Sequence, residues 1–158
     1  MINVMIPGEN KELKLQHLVL DYNGTLAIDG ILLPGVREKL LSLSSKLDIH
    51  VLTADTFGLA GKNLKGLPCS LLIMDDDRQA EGKADYVRGL MPKGSVVSMG
   101  NGMNDHLMFK ESGLSVAVMQ AEGVAAKALQ MADIVCPDIL SALSLLGQNK
   151  RLVATLRR

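Results

Sequence analysis

The stretch HLVLDYNGTL, residues 17–26, decides how the chain is read. Residues 17–20 form a short apolar run that stops at the carboxylate of Asp21, and a Gly-Thr turn follows. An apolar run of this length, bounded by turn residues, predicts a buried central strand with Asp21 at its C-terminal end. Outward from it, strand-like and helix-like stretches alternate. Strands are predicted over residues 49–52, 70–74, 95–99, 114–118 and 134–135. Helices are predicted over residues 34–46, with Pro34 in the first turn, and over 57–67, where three glycines lower the propensity. Further helices are expected over 80–91, 105–112 and 121–131, with a last one opened by Pro137. Such alternation implies βαβ units, and so an α/β fold whose mainly parallel sheet is covered on both faces. A leading hairpin over residues 1–15 is expected, turning at Gly8-Glu9-Asn10.

Composition narrows the function classes. The 158 residues are 47% hydrophobic and 22% charged, which suits one globular domain spanning 1–158. With 17 basic and 17 acidic side chains, the chain lacks the basic excess that a nucleic-acid surface needs. Cys69 and Cys136 lie far apart and match no metal-ligand spacing, which predicts reduced thiols. No secretory leader and no bilayer-length apolar segment are evident, so a cytoplasmic protein without a membrane partner is expected.

In parallel α/β folds, ligands bind at the C-terminal ends of the strands. The predicted strand ends carry Asp21, Thr53 and the segment GNGMND at residues 100–105, with Lys83 expected in the turn or first helical turn after strand 70–74. A carboxylate, a hydroxyl, an ammonium and an Asn/Asp pair are thereby offered to one edge. A carboxylate can act as a nucleophile toward a phosphoryl group. The charge of that group then needs cations and hydrogen-bond donors, and oxygen ligands where Mg²⁺ takes part.

Four segments resemble the motifs of the haloacid dehalogenase (HAD) superfamily, in family order. DYNGTL at 21–26 is similar to the first motif, VLTAD at 51–55 to the second, Lys83 to the third, and GNGMND at 100–105 to the fourth. The nearest flavour is the phosphorylation domain of P-type ATPases and its soluble relatives. The resemblance implies a three-layer Rossmann-like fold and an Mg²⁺-dependent phosphatase or phosphotransferase acting on a phosphorylated substrate of unknown identity. It implies that Asp21 attacks phosphorus and also binds Mg²⁺, and that the backbone carbonyl of Asn23 is a second ligand. Thr53, the Ala54 amide and Lys83 would bind phosphate. Position 101 would supply a metal ligand, and Asp105 would support the metal or Lys83. Thr25 would hold the loop geometry, while Gly24 and Gly102 would let backbone approach the site.

Two residues depart from the pattern. Asn23 stands where phosphatases of the family usually carry a second aspartate, and an amide cannot exchange a proton with the leaving oxygen or water. Losing such a group costs about 10²–10⁴-fold in rate. Asn101 is neutral where a metal-binding carboxylate is usual. Slow turnover and weak Mg²⁺ binding are expected, and the alternative is a catalytically silent relative that binds phosphate, nucleotide or a protein. Outside the motifs, residues 75–77 (Asp-Asp-Asp) read as a solvated acidic loop. His17, His50 and His106 read as surface or satisfied histidines, with His106 alone near the site.

The intervals between motifs are too short for a cap domain. Residues 27–33, centred on Asp29-Gly30, predict a small β-hairpin flap instead. An uncapped site is open to large substrates or is closed by another subunit. Mean hydropathy is +0.20, and Ile28, Ile31, Leu32 and Leu33 would expose apolar surface. A homodimer or homotetramer is therefore expected.

Overall fold

The computed structural model describes residues 1–8 and 11–157. Strands β1 (Ile2–Ile6) and β2 (Lys11–Leu15) pair antiparallel as the expected leading hairpin. Two of its expected turn residues, 9 and 10, lie outside the described residues. β3 (His17–Asp21) is followed by the small antiparallel hairpin β4 (Ala27–Ile28) and β5 (Ile31–Leu32), then by α1 (Val36–Leu43) and β6 (Asp48–Thr53). Next come α2 (Ala60–Asn63), β7 (Cys69–Ile73), α3 (Gln79–Gly89) and β8 (Val96–Gly100). The chain finishes with α4 (His106–Glu111), β9 (Leu114–Val118), α5 (Ala126–Met131), β10 (Ile134–Cys136), α6 (Ile139–Leu146) and α7 (Asn149–Leu156).

Six strands form one parallel sheet in the order β10-β9-β8-β3-β6-β7. From β3 the chain first adds strands on one side, then returns to add β8 on the other. That reversal leaves a crevice beside the end of β3, where parallel sheets place ligands. Alternation along each strand builds a core on both faces. Leu18 and Leu20 of β3, Val97 and Met99 of β8 and Val116 of β9 share one core with α1, α6, α7 and the leading hairpin. Val19, Leu52, Val96 and Ala117 point the other way, onto Val87 of α3, Met108 and Phe109 of α4 and Ala128 of α5. The strand reading of 17–21 is thus borne out, as is the flap.

Several helix expectations are corrected. Pro34 precedes α1 instead of opening it, because Gly35 turns the chain at φ +84°, a conformation glycine adopts without steric cost. The helix expected over 57–67 shrinks to four residues, bracketed by Gly58 and Gly66 at φ +66° and +77°. The helix expected from residue 121 begins at Ala126. Its forerunner is a turn whose Ala125 N–H donates to the Asn101 carbonyl, a tertiary bond that outweighs alanine's helix propensity. Lys83 is the fifth residue of α3, well past the first turn. α6 starts where the Asp138 side chain accepts from the Ser141 N–H at 2.7 Å, an ordinary N-cap.

Candidate active site

Parallel register sets the geometry. Asp21 pairs with Leu52 and Leu20 with Met99, so the ends of β3, β6 and β8 lie side by side, bearing Asp21, Thr53 and Gly100. Lys83 reaches this edge from α3 and is fully buried. Its Nζ donates to Asp21 Oδ1 at 2.6 Å and to Asp105 Oδ1 at 2.7 Å. The second oxygen of Asp105 accepts from the Gly102 N–H at 2.8 Å. Both Asp105 oxygens are thus engaged, and the side chain has no exposed surface.

One ammonium shared by two carboxylates leaves a net negative charge out of water. Burial holds the Asp21 carboxyl up at about 6, with Lys83 pulling it down and Asp105 pushing it further up. Burial works against the charge on Lys83 as well, but Asp105 and Asp21 outweigh it and carry the ammonium above its usual range. At neutral pH Lys83 is charged and Asp21 is mainly ionised, which is the form that can attack phosphorus.

The loop after β3 frames the other side of Asp21. Thr25 Oγ1 lies 3.2 Å from Asp21 Oδ2 and 3.3 Å from Asn101 Oδ1. A single hydroxyl proton serves one of these oxygens at a time. The Asn101 amide is oriented by its Nδ2, which donates to the Gly123 carbonyl at 3.1 Å. It packs so closely on Gly24 that a Cβ there would lie 2.3 Å from Nδ2, and Gly24 has φ +76°. Asn23 Oδ1 is buried with no hydrogen-bond partner. After β6, the Asp55 N–H donates to Thr53 Oγ1 at 2.9 Å. Asp55 Oδ1 accepts from the Leu59 and Ala60 N–H groups, both at 3.0 Å, which ties this turn to the start of α2.

These residues line a cleft of about 280 Å³. Asp21, Asn23, Thr53, Ala54 and Asn101 face it, while Lys83 and Asp105 stand behind Asp21. A larger hollow, about 490 Å³, lies beside His50 and Cys69 near the start of β6, away from these groups. The sequence reading had not singled out Thr56, Gln79, Asn104 and Glu122, which also line the cleft. Asn104 sits inside the GNGMND segment and was within reach of that reading, whereas Glu122 arrives on the turn after β9 and carries no local signal. His106 is turned away, with Nδ1 2.6 Å from the Met103 carbonyl. His17 and His50, scattered in sequence, are neighbours at 3.3 Å. Asp75 is exposed, and residues 76–78 form a 3-10 turn.

A family model described as haloacid dehalogenase-like hydrolase matches residues 89–139. The uncharacterised protein MJ0073 of Methanocaldococcus jannaschii is 41% identical over 66 residues, which is 42% of this chain and 71% of that protein. Among solved structures, the fold is similar to the 3-deoxy-D-manno-octulosonate 8-phosphate phosphatase of Moraxella catarrhalis in complex with magnesium ion, phosphate ion and KDO. That likeness has a TM-score of 0.71 at 13% identity, covering 89% of this chain and 90% of that one. The cobalt-bound deoxy-D-mannose-octulosonate 8-phosphate phosphatase of Haemophilus influenzae gives a TM-score of 0.67 at 14% identity, over 89% of this chain and 92% of the other. The chain is thus similar to haloacid dehalogenase-like hydrolases over residues 89–139 and shares its fold with the phosphatases just named.

Proposed function

We propose that this chain is a phosphohydrolase or phosphotransferase that works through an aspartyl phosphate on Asp21. The observation that carries this reading is a carboxylate on the cleft, held by the buried Lys83 at 2.6 Å, with Thr53 lining the same cleft. The Lys83 bond to Oδ1 keeps Asp21 charged and aims its other oxygen. Thr53 Oγ1, accepting from Asp55, has its own proton free to turn toward a phosphate oxygen. The Ala54 amide stands beside it. Asp21 attacks phosphorus, the ester oxygen leaves, and water later cleaves the acyl phosphate. Asp105 acts as a positioning residue, fixing Lys83 and the Gly102 turn.

The donor set also suits a divalent cation. Asp21 Oδ2 and Asn101 Oδ1 compete for one Thr25 proton, and Asn23 Oδ1 is buried without a partner. Oxygen donors of this kind are what Mg²⁺ prefers. Asp21, Asn23 and Asn101 are the ligands we assign, with Asp105 behind them. When bound, the cation would neutralise charge on the transferring phosphoryl group. Among the described residues no cluster of three or more His, Cys, Asp or Glu could hold a metal. A carboxylate-poor site should bind Mg²⁺ weakly. Phosphatases of similar fold carry magnesium and cobalt in their crystals.

The test is direct. Incubation with p-nitrophenyl phosphate or acetyl phosphate and Mg²⁺ should give product and an acid-stable, hydroxylamine-labile phosphate on Asp21. Absence of both, relative to an Asp21→Asn control, would sink the reading. The second reading, a silent relative that binds phosphate or a partner, rests on Asn23 and Asn101. It would be favoured if Asn23→Asp with Asn101→Asp raised activity by orders of magnitude from an undetectable start.

A further inference from the structure

We infer that Glu122 is the proton-transfer residue of this site, taking the acid–base role that Asn23 cannot perform. The inference rests on the phosphohydrolase reading above. Hydrolysis of an unactivated phosphate ester needs a proton for the leaving oxygen and a base for the water. Among the described residues that line the cleft, the ionisable side chains are Asp21 and Glu122. Asp21 is committed as nucleophile, which leaves Glu122.

Its position is built from several bonds. The turn that carries Glu122 is held to the nucleophile loop by Gln120 Nε2, which donates to the Gly24 carbonyl at 3.0 Å and the Thr25 carbonyl at 2.6 Å. On its other side the turn is bonded to Asn101, through the Gly123 carbonyl at 3.1 Å and the Ala125 N–H at 2.8 Å. The turn that carries Glu122 is therefore held to the Asp21 loop through two separate connections, while the Glu122 side chain itself is exposed. Its Oε1 accepts from the Asp29 N–H at the flap tip at 3.0 Å. Its Oε2 has no hydrogen bond or ion pair among the described residues, so one carboxylate oxygen is anchored and the other is available. Asp21 lines the same cleft, with Lys83 and Asp105 behind it.

In the first step an Asp21 oxygen forms a bond to phosphorus, the phosphorus–ester oxygen bond breaks, and the departing oxygen takes the proton of the Glu122 carboxyl to leave as an alcohol. In the second, the Glu122 carboxylate takes a proton from water and the water oxygen bonds to phosphorus. The phosphorus–Asp21 bond then breaks, its electron pair returns to the carboxylate, and inorganic phosphate leaves. Glu122 regains in the second step the proton it gave in the first.

The experiment compares wild type, Glu122→Gln, Glu122→Ala and the double variant Asn23→Asp/Glu122→Gln, each with Mg²⁺, on p-nitrophenyl phosphate and on β-glycerophosphate. Glutamine still accepts from Asp29 but transfers no proton. Rapid quench measures phospho-Asp21 and steady-state assays measure turnover. Glu122→Gln should lose about 10²-fold or more in turnover. With p-nitrophenyl phosphate, whose leaving group needs no proton, it should accumulate phospho-Asp21 toward one per chain. With β-glycerophosphate it should form little. The double variant should recover turnover. Undiminished turnover by Glu122→Gln, including the case in which only Glu122→Ala is impaired because the flap has lost its anchor, overturns the inference and spares the phosphohydrolase reading. A wild type that stalls as phospho-Asp21 overturns it too. A wild type with neither turnover nor phospho-Asp21 overturns both.

Discussion

Lys83 and Gly24 show how single residues carry this site. Lys83 neutralises two buried carboxylates at once. Lys83→Met removes the ammonium and leaves Asp21 and Asp105 facing each other out of water. Breaking a buried ion pair in this way costs about 3–5 kcal/mol, so urea unfolding at pH 7 should show a large drop in midpoint. A change of under about 1 kcal/mol, the worth of a surface pair, would mean that the carboxylates find other partners. Gly24→Ala tests a different constraint. The added Cβ would meet the Asn101 amide at 2.3 Å in a backbone with φ +76°. We expect a loss of about 1–3 kcal/mol together with weaker Mg²⁺ affinity, because Asn101 is displaced. Unchanged calorimetric Mg²⁺ binding would separate Asn101 from the metal.

At the scale of elements, side chains between strands and helices decide how segments sit. The flap is tied to α2 by a buried node in which Tyr22 Oη donates to the Gly30 carbonyl at 3.2 Å. Asn63 Nδ2 lies 2.8 Å from both Tyr22 Oη and that carbonyl. Asn63→Ala should cost about 1–3 kcal/mol, because it strips a buried carbonyl of a donor, and should speed hydrogen exchange across residues 27–32. Exchange unchanged there would show that the turn alone holds the flap. A second node joins β3, β6 and α3. His17 Nε2 is 3.0 Å from the Met91 carbonyl, which can only accept, so this nitrogen bears a proton. His17 Nδ1 lies 3.3 Å from His50 Nε2, and His50 Nδ1 lies 2.8 Å from Tyr86 Oη. Burial lowers the pKa of His50, His17 adds to the lowering, and the exposed Asp48 opposes it. The unfolded chain therefore binds more protons than the folded one below the ordinary histidine pKa. The stability tied to His50 is complete above that value and is lost as pH falls below it. Thermal melts at pH 7.5 and 5.0 should differ less for His50→Gln than for wild type, and an equal or larger difference would contradict the sign.

For the whole molecule, metal and phosphate binding should appear as stability, because a ligand that binds only the folded chain raises the melting temperature by mass action. Mg²⁺ alone should shift the melt little, since Asn23 and Asn101 add no charge to that of Asp21. Mg²⁺ with phosphate should shift it more, and chelator should reverse the effect. A large shift from micromolar Mg²⁺ alone would contradict the ligand assignment. The flap also leaves Ile31 67% exposed, with Phe57 half-exposed against Gly30. We expect these side chains to meet another copy of the chain. Light scattering behind size exclusion at high micromolar concentration should give a dimer or tetramer mass that Ile31→Asp reduces, and a monomer mass for the unaltered chain would remove the expectation. Among the described residues, no helix is long and apolar enough to cross a membrane.

The sequence by itself determined that a mainly parallel sheet forms, because short apolar runs alternating with helical patterns bury strands on both faces, and it placed Asp21, Thr53 and Gly100 at strand ends. The Asp29-Gly30 turn was equally legible, since left-handed backbone is written in residue type, and both residues have positive φ. Helix limits were less so. Residues 121–125 have helical composition, yet a bond to Asn101 and the left-handed Gly123 hold them as a turn. What only the tertiary structure decided is which side chains meet across long separations. Lys83 lies 62 residues from Asp21 and enters from mid-helix, so no local pattern revealed that it spans two carboxylates. Glu122 lies 93 residues from the flap amide that orients it. His17 and His50 become partners only because β3 and β6 lie in register. Local periodicity encodes which face of an element is buried, but the pairing of distant polar groups depends on how the elements stack.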